Sequence, residues 1–118
     1  MVTELGKFLR KIRIDNDELL KDMADKIGMS SAMLSSIENA KRNVPLSFAG
    51  AISQAYELSG ELTDRLEYCI ALTKEQVQIR LENLSKDDKR LAFSFARRFS
   101  ELDDEKKLQI RKIMSGGD

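Results

Sequence analysis

The 118-residue chain carries 20 Lys and Arg against 20 Asp and Glu, a single Cys and no His, with 42% hydrophobic and 34% charged residues. One Cys and no His exclude a zinc or disulfide framework within one chain, and no phosphate-cradling glycine loop or nucleophile elbow is present, so no metal, no cofactor and no enzymatic activity are expected. No apolar run reaches the roughly 18 residues of a membrane span, and no signal-peptide pattern is seen. The expectation is therefore a soluble, mainly α, cytoplasmic protein with no membrane contact.

In chain order, Thr3 can cap a first helix running to about Asp15, with Leu5, Phe8, Leu9 and Ile12 on its inner stripe. The stretch Glu18 to Arg42 reads as two short helices around a tight turn at Gly28. Met23, Ala24 and Ile27 form one inward stripe, and Leu34 and Ile37 another after the break. Gly28 suits a left-handed closing residue, Met29 offers the turn an apolar side chain, and Ser30 is a good N-cap. A fourth helix is predicted from about Ser47 to Leu58, inward through Phe48, Ile52, Ala55 and Tyr56. A fifth, from about Glu61 to Thr73, uses Leu62, Leu66, Cys69 and Ile70.

Beyond these, Gln76 to Glu82 alternates Val77, Ile79 and Leu81 with Gln78 and Arg80, the period of a half-buried strand. A helix through Val77, Leu81 and Leu84 competes with that reading but turns Ile79 the wrong way. A lone strand needs a ladder partner, and the same strand of a second copy, antiparallel about a two-fold axis, would supply it. Val77, Ile79 and Leu81 are accordingly the predicted dimerisation residues. Ser85 then caps a helix to about Ser100 with Leu91, Ala92, Phe95, Ala96 and Phe99 on one stripe and Phe93 off it. Asp103 caps a last helix holding Leu108, Ile110, Ile113 and Met114. The Ser115–Asp118 tail is the one stretch whose composition suggests disorder.

The ordered set Met23-Ala24, Gly28-Met29-Ser30, Leu34-Ser35-Ser36-Ile37-Glu38 and Lys41-Arg42 resembles the Xre/Cro type of helix-turn-helix regulator, the family of the phage lambda repressor. The resemblance covers roughly the first 70 residues, in line with the size of one DNA-binding module. It implies a five-helix lambda repressor-like domain at residues 1–74, and the short strand and two helices predicted at 75–118 form a dimerisation or partner-binding extension. By the same resemblance Ser31, Ala32 and Ser35 face base edges, while Lys21, Ser30, Asn39, Lys41, Arg42 and Asn43 serve the DNA backbone. Lys26 is a further cation on the preceding helix. Arg13, Ala24, Gly28, Ile37 and Glu38 support the motif, Arg13 and Glu38 as an internal ion pair.

Charge does not advertise nucleic-acid binding: residues 1–45 carry eight basic and seven acidic side chains, and the remainder twelve and thirteen. Many family members have Gln at the place of Leu20, and often Gln or Arg at those of Ser31 and Ala32. This chain's reading face is therefore sparse, and phosphate positioning, DNA shape and dimeric binding must contribute more. The expected function is a sequence-specific, homodimeric transcriptional regulator that binds double-stranded DNA. It would act as a repressor, reading a roughly palindromic operator through successive major grooves about 34 Å apart. The alternative is an antitoxin or mobile-element regulator whose C-terminal extension binds a partner protein.

Overall fold

Most helix starts in this chain are set by short polar side chains, and the first five helices finish in left-handed backbone. In the computed structural model, which describes residues 3–116, Thr3 accepts a hydrogen bond from the Gly6 N–H at 3.0 Å and opens α1 (Glu4–Asp15). The N–H of Leu19 donates to the Asp22 carboxylate at 2.8 Å, which fixes the start of α2 (Leu20–Ile27). Ser30 and Ser59 each accept from the N–H three residues on and start α3 (Ser31–Glu38) and α5 (Gly60–Lys74). Between them lies α4 (Phe48–Ala55), shorter at both ends than its apolar spacing predicts.

All five helices close the same way. After α2, Gly28 turns left-handed at φ +75°, its N–H donates to the Asp25 carbonyl, and the Met29 N–H donates to the Ala24 carbonyl. That pair of bonds satisfies carbonyls that would otherwise be left open at the helix end. Asp17, Ala40, Glu57 and Glu75 adopt the same left-handed conformation after α1, α3, α4 and α5, each with the corresponding two bonds.

The core is built from Leu5 and Leu9 of α1, Met23 and Ala24 of α2, Leu34 and Ile37 of α3, Val44, Phe48 and Ile52 around α4, and Leu66 of α5. Helix α1 packs on α3 and α5, α2 packs on α3 and α4, and α4 packs on α5. The recurrence of apolar residues at three and four positions explains this: each short helix buries one stripe and leaves its other face polar. Val44, in the loop before α4, is a core member that periodicity does not announce, since a loop residue has no period to belong to.

The chain divides into two compact units, one ending at Val77 and one beginning at Gln78. The second holds α6 (Lys86–Arg98), a 3₁₀ turn at Phe99–Glu101 and α7 (Asp104–Met114). Ser85 caps α6 by accepting from the Asp88 N–H at 3.0 Å, and Asp103 caps α7 by accepting from the Lys106 N–H at 2.8 Å. The rings of Phe95 and Phe99 meet at 5.7 Å between centroids. Yet no described side chain beyond Leu66 is buried. Of the tail, Ser115 closes α7, while Gly117 and Asp118 lie outside the described residues.

The strand expected at residues 76–82 is not formed, and the described residues contain no strand at all. The chain leaves α5 through left-handed Glu75, runs on without regular structure, and turns where the Leu84 N–H donates to the Leu81 carbonyl. Val77, Ile79 and Leu81 are 88%, 52% and 41% exposed. Alternation predicts only which side chains share a face of extended chain; a strand exists when a neighbour completes its ladder. No second extended segment among the described residues offers one.

Candidate nucleic-acid interface

Helix α3 is anchored on one side and open on the other. Leu34 and Ile37 are fully buried, and Glu38, at the helix end, is held by Arg13 of α1 through both carboxylate oxygens, the Nη2–Oε1 distance being 3.1 Å. The same guanidinium lies 3.3 Å from the Met23 sulfur of α2, so one side chain ties three helices. The Glu38 backbone carbonyl accepts from the Thr3 hydroxyl at 2.6 Å. It also lies where a Cβ on Gly6 would approach to 3.0 Å, so glycine there permits α1 and the end of α3 to meet. Neither the Thr3 hydroxyl nor the Gly6 approach carries a sequence signal, because both depend on backbone atoms 32 to 35 residues away.

The open side presents Ala32, exposed, with Ser31 and Ser35 half-buried beside it. Ser30 uses its oxygen to cap Met33 N–H at 3.1 Å, which leaves its hydroxyl proton to point at an outside acceptor. Asn39 is committed inward instead: its amide nitrogen donates to the Ser35 carbonyl at 2.9 Å and lies 3.4 Å from the Ser35 hydroxyl oxygen. It thus positions Ser35, a role the sequence reading missed. Lys41, Arg42 and Asn43 follow left-handed Ala40 on an exposed loop, and Lys21 is exposed on the first turn of α2. None of the described ion pairs involves Lys21, Lys41 or Arg42.

Lys26 is not a free cation. Its Nζ lies 2.5 Å from Glu18 and 4.6 Å from the centre of the Tyr56 ring, while the Tyr56 hydroxyl donates to the other Glu18 oxygen at 2.6 Å. These contacts hold the Glu18 carboxyl below its usual range, chiefly through the Lys26 hydrogen bond and then that of Tyr56. Burial, reinforced by Glu18, pushes the Tyr56 hydroxyl up. The cluster joins the approach to α2 to the end of α4, 38 residues apart, and no local pattern reveals it. Leu20 is half-buried and packs on the core, so at this position the chain contributes apolar contact rather than an amide.

Elsewhere the chemistry is spare. Burial raises the thiol of half-buried Cys69, with Glu4 adding to the shift and Arg65 opposing it. The described residues hold no group of three or more His, Cys, Asp and Glu side chains that could bind a metal ion, and no described helix is long and apolar enough to cross a membrane.

A family model for a helix-turn-helix domain matches residues 4–66, from the first residue of α1 to the last buried side chain of the core. This is just over half of the chain, and the chain belongs to that family. No curated protein and no solved structure matches it.

Proposed function

We propose that this helix-turn-helix protein is a DNA-binding transcriptional regulator that inserts α3 into the major groove, as its family membership suggests. The observation that carries the reading is the division of labour on α3. Leu34, Ile37 and Glu38 fix its orientation from behind, while Ala32 is exposed with Ser31 and Ser35 half-buried beside it, and Lys21, Lys41 and Arg42 are exposed on the preceding helix and following loop. Serine hydroxyls donate to or accept from base edges, and the Ala32 methyl can meet a thymine methyl. The lysines, Arg42 and the Ser30 hydroxyl are donors for phosphate oxygens, whereas Asn39 acts through Ser35.

With so few base-reading groups, one copy has little sequence information, and a two-fold operator read by two copies is the economical solution. In this reading the protein is a dimeric repressor that occludes a promoter. Selecting bound sites from random DNA tests it. A two-fold-symmetric site should be enriched, and joint substitution of Ser31, Ala32 and Ser35 should abolish the enrichment; no enrichment by the unaltered protein refutes it.

A second reading, an antitoxin or mobile-element regulator with a protein partner, is favoured by one observation. Leu91, Phe95, Phe99 and Leu108 of the second unit are between 38% and 69% exposed, more apolar surface than a unit without buried side chains can cover for itself. Light scattering of the isolated protein separates the readings: a stable dimer that binds DNA unaided supports the first, and a monomer that acquires DNA binding only with a co-purified protein supports the second.

A further inference from the structure

In a chain of zero formal net charge, one face of α6 is cationic throughout. Lys86, Lys89, Arg90 and Arg97 recur at three-, four- and seven-residue intervals, with Phe93 in their midst. At 3.6 residues per turn these five fall within about 100° of the helix circumference. Leu91, Phe95 and Phe99 fall on the other side. Asp87 and Asp88 lie outside the cationic sector, in the first turn, where they complement the helix dipole. All four cations are exposed, none takes part in a described ion pair, and Phe93 is 62% exposed with the Arg97 guanidinium 5.9 Å from its ring. Near the C-terminal end Glu101 joins Arg97 and Arg98 around a shallow recess, so an acid appears only at that edge.

We infer that this face of α6 is a second DNA-contacting surface, which lies against the phosphate backbone of duplex DNA and supplies affinity without sequence selectivity. The inference rests on the DNA-binding reading of α3. Four cations spread over eleven helical intervals form a row roughly 16 Å long. Phosphates recur about every 3.4 Å along each strand, so such a row runs past several of them. Phosphate neutralisation releases counterions, the main source of affinity when base contacts are few. The α3 face brings only Lys21, Lys41 and Arg42, so the cations of α6 would more than double the number available. Phe93 adds an apolar ring among the cations that can rest on sugar. The helix's opposite face stays free for Leu91, Phe95 and Phe99 to pack on protein.

The test uses the full chain and two variants of equal charge loss: K86Q/K89Q/R90Q/R97Q on α6 and K106Q/K107Q/R111Q/K112Q on α7. Affinity for a labelled random-sequence duplex is measured from about 50 to 200 mM salt, the range in which phosphate contacts dominate. Each lost phosphate contact flattens the slope of log affinity against log salt by about 0.9. The α6 variant should therefore lose about two to four units of slope and bind at least about tenfold more weakly at the low-salt end. The α7 variant should keep the slope of the unaltered protein. F93A should weaken binding without changing the slope. Helix content by circular dichroism should be unchanged, since every altered side chain on α6 is exposed. Equal slopes for the unaltered protein and the α6 variant overturn the inference while leaving the α3 reading intact. Absence of duplex binding by the unaltered protein overturns both.

Discussion

Arg13 and Glu38 hold each other across 25 residues of chain with almost no access to water, at 7% and 4% exposure. Removing one partner strands the other charge in the core, which typically costs about 3–5 kcal/mol, whereas replacing both with apolar residues of similar bulk is often neutral. Glu38→Ala should therefore lower the unfolding free energy by about 3 kcal/mol or more. Arg13→Leu combined with Glu38→Leu should restore most of that loss. Urea unfolding of Arg13→Leu, Glu38→Leu and the double variant measures the coupling, and simple additivity of the losses would count against a paired burial.

Two exchanges between alanine and glycine should both stabilise, in opposite directions. Ala40 closes α3 at φ +60°, where a Cβ is strained, so Ala40→Gly should gain about 0.5–1 kcal/mol. Gly50 lies in α4 with nothing within 4 Å of an added Cβ, so Gly50→Ala should gain a similar amount, about 0.5–1 kcal/mol, by lowering the entropy of the unfolded chain. Gly6→Ala is the control: the Glu38 carbonyl stands 3.0 Å from the new Cβ, and the helix-propensity gain should be cancelled or reversed. Shifts in the urea midpoint rank the three.

The Glu18, Lys26 and Tyr56 cluster predicts how stability changes with pH. The folded Glu18 carboxyl is held below its unfolded value, so its contribution is present above the ordinary carboxylate range and is lost as pH falls through the folded value. Tyr56 is shifted upward, so its contribution is intact below about pH 10 and is lost as pH rises beyond that. Glu18→Gln should flatten the acid limb of the stability profile, and Tyr56→Phe the alkaline limb. Urea midpoints between about pH 3 and 11, bracketing both ordinary values, provide the measurement.

Ser30 separates folding from DNA contact. Ser30→Ala removes the cap on α3 and should cost about 1 kcal/mol. Ser30→Asp keeps a capping oxygen and should leave stability within about 0.5 kcal/mol, since the two residues cap comparably. It puts an anion where the proposal needs a phosphate, so duplex affinity should fall severalfold at low salt. Equal affinity for the aspartate variant and the unaltered protein would remove Ser30 from the interface.

Helix starts were legible because the signal is local: Thr3, Ser30, Ser85 and Asp103 each cap an N–H three residues on. A left-handed closing residue was legible only at Gly28. Asp17, Ala40, Glu57 and Glu75 adopt the same left-handed turn without the residue that advertises it. The Arg13 and Glu38 pair was found through family resemblance, whereas Thr3 with Glu38 and Tyr56 with Glu18 had no resemblance or period to reveal them. The segment around Ile79 failed for a different reason. Alternation describes one chain, and strand formation is a property of two.

The fastening of α3 has a consequence for how such a protein can change. Leu34, Ile37 and Glu38 hold the helix from behind, and part of that hold is a backbone carbonyl that no substitution at Glu38 can delete. Exposed Ala32 and neighbouring Ser31 make no described side-chain hydrogen bond within the protein, so they are free to vary with little change in folding or in helix angle. Ser35 is less free, since altering it removes the Asn39 contact with its hydroxyl at 3.4 Å, though the Asn39 bond to its backbone carbonyl remains. On the proposed reading of α3, a lineage carrying this frame would move from one operator to another through two adjacent codons.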